Sequence, residues 1–254
     1  MNVPRTFQIL SMFSLETPVL HPSALMRAFG VSRASIYRDL QALEQAGLLE
    51  RVAGQGYVLG PQVVELDRQV RLADPLLKAA GVRLRELAQR LEAVVLLCRV
   101  HGKKVLCIHQ EAPDGGANAV SYERGRAMPL YRGATSRIIL ANLDEAQLRD
   151  LWESDAEALQ ASGLATSWPG FLDALKPLKE QRYCATHSEV DAGMAGLAVP
   201  LMEGKRVLGS LSVVLPVERL KQTPSRHVLS MLFRVADTME ASLEDARLKA
   251  RQQK

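Results

Sequence analysis

The sequence predicts an α+β protein in two parts. A small helical unit closed by a hairpin comes first, a larger domain of helices and antiparallel strands second, and one helix joins them. Three observations carry this. Within residues 1–60, three short apolar-periodic segments run into two β-type runs around Ala53-Gly54-Gln55-Gly56. Residues 61–73 keep helical spacing, with Val63, Leu66 and Val70 at i, i+3 and i+7. After that the apolar period switches repeatedly between helical and strand values, without an internal repeat.

Taken in order, Phe7, Ile9, Leu10 and Phe13 give residues 5–14 a near-helical stripe. Pro22 and Ser23 open a second short helix that ends at Gly30, a C′ glycine. Ser32 is placed to cap a third, in which Ile36, Leu40 and Leu43 share a face. Gly47 stops it. Leu48, Leu49 and Val52 then Tyr57, Val58 and Leu59 form the hairpin. Residues 61–73 are the connecting helix and 75–92 a further helical run. Residues 94–100 and 104–110 read as two strands around His101-Gly102-Lys103, with a third strand at 117–122. Gly133 begins a helix to about Asn142. Asp144 begins another, with Gln147 at capping-box spacing. Trp168 to Gln181 is helical. Strands at 194–202 and 206–215 frame Glu203-Gly204-Lys205, and Thr223 to about Ala250 is one long helix.

The 254 residues suffice for two domains, and 47% apolar with 24% charged residues excludes a disordered or low-complexity chain. No apolar run approaches the roughly 20 residues that span a bilayer, so no membrane partner is expected. MNVPRTFQILSMF has no charged leader followed by a long apolar stretch, which predicts no signal peptide. Three cysteines are too few and of the wrong parity for a disulfide scaffold, which points to a cytoplasmic protein.

Two short helices joined by Gly30-Val31 and followed by a hairpin fit a winged helix-turn-helix. Its second helix enters the major groove of double-stranded DNA while the first holds it there. That helix opens SRASIYRDL, which makes Ser32, Arg33, Ser35, Tyr37 and Arg38 the candidate DNA-binding residues. The competing interpretation is a helical bundle with a solvated basic face. Residues 1–60 hold five arginines, no lysine and four acidic residues, a net of +1, so the positive charge is placed rather than abundant. One copy would bind weakly, and a dimer would multiply the affinity.

From RTFQILSMF through GVSRASIYRDLQALEQAGLLERVAGQGYVLG the chain resembles the N-terminal domain of the IclR family of bacterial transcriptional regulators. YERGRAMPLYRGATSRIILANL resembles the family's Gly-x-x-x-Pro-Leu stretch and the helix after it. YCATHSEVDAGMAGLAVPL with RVLGSLSVVLP resembles its C-terminal strands. The resemblance spans nearly the whole chain. It implies a transcriptional regulator that binds operator DNA as a homodimer or tetramer, with residues 1–60 the DNA-binding domain, 61–73 the linker helix and 74–254 a GAF-like domain. That last domain would oligomerise and take a small carboxylate metabolite, aromatic ones included, as effector. Met26 stands where the family commonly has a small residue, Asp39 where it has an apolar one, and Ser136-Arg137 where it often reads Gly-Lys.

Carried over by position, the effector-binding residues are Ala134, Thr135, Thr186, His187, Gly196, Ser210 and Ser212. The backbone amides of Ala134 and Thr135 lie at a helix start, where unpaired N–H groups and the helix dipole favour an anion. Strand periodicity puts Ser210 and Ser212 on one face and Val207, Gly209, Leu211 and Val213 on the other. The alternative for the serines is an edge open to solvent. Arg126 and Arg132 either neutralise an anion or are surface charges, and Tyr122 and Tyr131 either line the pocket or cap the core.

Cys98, His101, Cys107 and His109 have zinc-ligand chemistry. A two-residue turn at Gly102-Lys103 would set Cys98 opposite Cys107 with His109 on their face and His101 on the other, one ligand short of a tetrahedron. The expectation is therefore no metal and no cofactor, with buried thiols and a redox disulfide as the lesser alternative. The chain carries no G-x-S-x-G, P-loop, H-E-x-x-H or G-x-G-x-x-G, so no catalytic residue and no enzyme activity is expected. A GAF-like enzyme, or a sensor acting through protein contacts, are the other classes.

Overall fold

The computed structural model describes residues 3–113 and 120–252 and divides the chain into two compact units, 1–74 and 75–254. In the first unit, helix α1 (Arg5–Leu10) is shorter than its apolar stripe, because Ser11 and Met12 close it as a turn. Helix α2 (Pro22–Phe29) ends on Gly30 at φ 63°, a left-handed position that costs glycine no Cβ clash. Helix α3 (Arg33–Gln45) starts on Ser32, whose hydroxyl accepts the Ser35 amide. Strands β1 (Leu49–Val52) and β2 (Gly56–Leu59) pair antiparallel. Leu20 joins them as a third rung, exchanging both backbone hydrogen bonds with Tyr57. Ile9, Leu25, Ile36, Leu40 and Leu49 fill the small core. Asp39, set where an apolar residue is usual, accepts from Arg5 Nε at 2.5 Å and from Thr6 Oγ1 at 3.1 Å, so it ties α1 to α3. Helix α4 (Pro61–Ala73) follows and has no buried residue.

In the second unit the single helix expected at 75–92 is two, α5 (Pro75–Ala80) and α6 (Arg83–Leu91), parted at Gly81 with φ 51°. Strands β3 (Val94–His101) and β4 (Lys104–Glu111) form the expected hairpin. Of the strand expected at 117–122, residues 117–119 lie outside the described residues and 120–122 are not a strand. A short strand β5 (Ala127–Pro129) pairs with β4 instead. Helices α7 (Gly133–Leu140), α8 (Glu145–Ala161) and α9 (Trp168–Gln181) come next, α8 with the Asp144–Gln147 capping box. Strands β6 (Cys184–His187), β7 (Met194–Glu203) and β8 (Arg206–Pro216) complete the sheet. Helix α10 (Val217–Gln222) and the long α11 (Ser225–Gln252) end the chain.

The sheet runs β5-β4-β3-β8-β7-β6, with every pair antiparallel. Helices cover both faces, which is why β3 reads VVLLC rather than alternating. On one face Val95, Leu97, Val199, Leu211 and Val213 meet α5, α6 and α11. On the other, Leu96, Cys98, Val105 and Cys107 pack among Leu140, Leu151 and Phe171. Each of these buried aliphatic side chains contributes about 1.5–3 kcal/mol by leaving water.

Two bulges correct the expected faces. A register shift at Leu97/Cys98 pairs His109 with Leu97 while Cys98 stays opposite Cys107. His109 Nε2 therefore lies 3.0 Å from Glu111, which faces Arg85 on α6, and not beside the thiols. A second shift at Leu201/Met202 pairs Val207 with Met202, which moves Val207 to the face of Val214 rather than that of Leu211 and Val213.

Candidate functional site

In the first unit the candidate residues cluster at the start of α3. Ser32, Arg33 and Arg38 are exposed, while Ser35 and Tyr37 are half-buried. The Arg33 guanidinium lies 5.2 Å from the centre of the Tyr37 ring, an i, i+4 cation–π contact that limits its freedom. Buried Ile36, Leu40 and Leu43 fix which face of α3 looks out. Arg51, exposed on β1, and Gln55 at the hairpin tip extend the polar surface. Sequence reasoning passed over both, although an arginine beside a Gly-x-Gly turn was a visible signal.

The second-unit candidates gather around the start of α7, which lies over β7 and β8. Gly133 has φ +80°, and a Cβ there would stand 2.7 Å from Val190 Cγ2, so both backbone and space demand glycine. A narrow cleft of about 20 Å³, room for about one water molecule until its walls move, is lined by Tyr122, Ala134, Thr135, Thr186, Glu189, Gly196 and their neighbours. Thr186 and Gly196 are cross-strand partners on β6 and β7. The Ala134 amide donates to Thr186 Oγ1 at 3.3 Å, and the Gly133 amide donates to Glu189 Oε1 at 3.0 Å. The same carboxylate oxygen pairs with Arg137 at 2.9 Å. Two amides at this helix start are thus held by the chain's own oxygens.

Beneath the cleft, Ser210 and Ser212 on β8 are fully buried, not on an open edge. Ser212 Oγ is 2.9 Å from Thr135 Oγ1, and Ser210 donates to the Thr135 carbonyl at 3.1 Å. They anchor α7 and do not line the cleft. His187 neighbours Thr186 on a strand and so points to the opposite face, where it is exposed. Tyr122 lines the cleft and is buried. Its hydroxyl donates to the Arg132 carbonyl and accepts from Ser136, both at 2.7 Å, and burial pushes its ionisation well up. Tyr131 packs against the sheet core. Arg126 is exposed and Arg132 donates to the Glu189 carbonyl at 3.3 Å, and neither lines the cleft.

Glu189 and Asp191 escaped the sequence reading, and Arg137 was marked only as a departure from the family's Gly-Lys. Asp191 accepts from both the amide and the hydroxyl of Ser121, closing the far wall. Such ties cross 56 to 70 residues of chain, which leaves no local spacing to read.

Residues 71–241 match the family model for the C-terminal domain of the bacterial transcriptional regulator IclR, and residues 5–58 match a helix-turn-helix domain. The chain belongs to the IclR family. It is 27% identical over 215 residues to the HTH-type transcriptional regulator XynR of Escherichia coli, covering 84% of each chain. Its fold is that of an IclR transcriptional regulator from Alicyclobacillus acidocaldarius, at TM-score 0.79 and 20% identity, over 96% of this chain and 100% of the other. An IclR homolog from Microbacterium hydrocarbonoxydans, solved in complex with 4-hydroxybenzoate, is similar at TM-score 0.72 and 19% identity over 95% and 98% of the two chains. This IclR-family protein is therefore a transcriptional regulator with a DNA-binding helix-turn-helix. Among its described residues no helix is long and apolar enough to cross a membrane.

Proposed function

We propose that this IclR-family regulator is a cytoplasmic, non-enzymatic homodimer or tetramer that binds operator DNA and is controlled by a small carboxylate, aromatic ones included. Residues 1–60 are the DNA-binding domain, 61–73 the linker helix and 74–254 the effector-binding and oligomerisation domain. Ser32, Arg33, Ser35, Tyr37 and Arg38 meet the DNA, with α3 in the major groove and the β1–β2 hairpin as a wing. The effector sits in the cleft at the start of α7, against Ala134, Thr135, Thr186 and Gly196. Ser212 and Ser210 act from behind by holding Thr135, and His187 stands outside the contact.

The observation that carries the effector reading is the cleft itself, where one backbone amide and a guanidinium meet on one carboxylate oxygen and a second amide of the same helix start is held by the Thr186 hydroxyl. The chemistry of a carboxylate in this place is already displayed by the chain. A structural relative that holds 4-hydroxybenzoate supports the ligand class. Such a ligand controls DNA binding by favouring one arrangement of the regulator over another.

A gel shift with DNA upstream of the gene and of its neighbours, with and without 4-hydroxybenzoate and related carboxylates, tests the reading. The expected result is a specific shift that a carboxylate alters. A protein that binds specific DNA but heeds no carboxylate loses the effector class, and one that binds no specific DNA is left with the sensor reading.

A further inference from the structure

The cleft presents a contradiction to any carboxylate effector. Its lining includes two acidic side chains, Glu189 and Asp191, and no lysine or arginine. Asp191 is committed to Ser121 through two hydrogen bonds. The nearby cation, Arg137, is paired with Glu189. The Gly133 amide is donated to the same Glu189 oxygen. An incoming carboxylate would meet like charge along the wall formed by the loop of Glu189 and Asp191, and like charges at contact distance are strongly unfavourable where solvent is partly excluded.

We propose that Glu189 is the specificity-determining residue of this cleft, a resident carboxylate that the effector must replace. Binding is an exchange, in which the ligand's carboxylate takes the Gly133 amide and the Arg137 guanidinium as Glu189 leaves them. The proposal rests on the effector reading above. It explains selection by class. A carboxylate restores both partners that Glu189 gives up, whereas a neutral amide can cap the Gly133 amide but leaves the Arg137 guanidinium without its counter-charge, and so displaces Glu189 poorly.

The exchange also has a mechanical outlet. Glu189 belongs to the loop between β6 and β7. Within that loop the Gly193 amide donates to Ser188 Oγ at 3.2 Å, while the Ser188 amide donates to the Met194 carbonyl at 2.7 Å. The Gly193 carbonyl accepts from the Val217 amide at 2.9 Å, at the first residue of α10. Displaced Glu189 thus pulls on a loop tied to the segment that leads into α11.

The test is calorimetry with 4-hydroxybenzoate, benzoate and 4-hydroxybenzamide on the full chain, wild type and Glu189→Gln. Glutamine keeps an oxygen for the Gly133 amide, so the loop stays capped while the charge goes. The expected result is about tenfold or more tighter carboxylate binding by Glu189→Gln, within the usual span of coupling energies, with the benzamide unchanged. Unchanged or weaker carboxylate binding by the variant overturns the proposal while leaving the effector reading intact. If neither protein binds any carboxylate, the effector reading fails and this proposal falls with it. Thermal melts check folding. Should Glu189→Gln not fold, Glu189→Asp keeps the charge but is a methylene shorter, and it must then show a smaller gain in carboxylate affinity. No gain rejects the exchange.

Discussion

On the proposed DNA-binding reading, Arg33 and Arg38, five residues apart on α3, divide two tasks. Arg33 is steadied by the Tyr37 ring, whereas Arg38 is exposed farther along α3. A guanidinium held in place loses less freedom on pairing with a base, so Arg33 is assigned to base readout and Arg38 to phosphate. Arg33→Ala should cost about 1–3 kcal/mol on operator DNA and relax one base pair of the site. Arg38→Ala should weaken operator and random DNA alike and lower the salt slope by about one. Binding titrations on both DNAs at several salt concentrations separate the two, and equal losses everywhere would mean that neither reads sequence. In the other unit, a Cβ at Gly196 would meet Thr186 Oγ1 at 3.3 Å and Ala134 Cβ at 3.5 Å, so Thr186 must shift slightly against its hydrogen bond from the Ala134 amide. Gly196→Ala should leave the melting temperature near wild type. It should also weaken effector binding by about tenfold or more, the effect of one misplaced methyl in a pocket. A normal binding isotherm for that variant would place the ligand elsewhere.

At the scale of elements, α11 is fastened to the sheet through a charge as well as through Leu232 and Met239. The Met202 amide on β7 donates to Glu240 at 2.8 Å. Burial raises the Glu240 carboxyl above its ordinary value of 4.5, while the amide and Arg182 draw it back and Asp237 raises it further. The folded protein therefore holds this proton more tightly than the unfolded chain. Its stability contribution is fully present below the unfolded value and is lost as pH rises through the folded one. Glu240→Gln keeps an acceptor for Met202 and should abolish that fall. Urea melts across the acid range should show a slope in the wild type that the variant lacks, and identical slopes would remove Glu240 as its source. Across the sheet from it, α7 is fixed by hydroxyls. With Ser212 buried against Thr135, a large apolar residue at 212 would break the domain as well as the cleft, so Ser212→Leu is no clean probe of effector binding.

At the scale of the whole molecule, α4 keeps its apolar residues at the surface of the described chain. None of its residues is buried, and Val64, Leu66, Val70 and Leu72 are exposed. Leu66 and Val70 share one face with Val63, and an apolar stripe of this kind on an unburied helix fits contact between copies, in line with the proposed dimer. Replacing Leu66 and Val70 with serine should shift the protein toward monomer in analytical ultracentrifugation and weaken DNA binding steeply. An unchanged sedimentation coefficient would move the dimer contact to another surface. A dimer further predicts a pseudo-palindromic operator with half-site centres about 34 Å, or a multiple of it, apart. A footprint over one asymmetric half-site would contradict this.

The amino-acid order by itself determined what is local. Helix periodicity, the Gly30 stop, the Ser32 cap, the Asp144 capping box and the turn at Gly102-Lys103 depend on neighbours within a few residues, and α3, α4, α8, α9 and the two main hairpins follow from them. The family was legible too, because its motifs are runs of sequence. Tertiary structure decided what rests on unlike distant partners. The bulges at Leu97/Cys98 and Leu201/Met202 turned His109 and Val207 to other faces, since register is settled by both strands together. Asp39 became a tie to Arg5, and Ser210 and Ser212 became anchors of α7 in place of a pocket wall. Above all, Glu189 met Gly133 and Arg137 across more than fifty residues. The Glu189 carboxylate is held there by the amide and the cation that the fold carries to it, and nothing in the residues around Glu189 announces them.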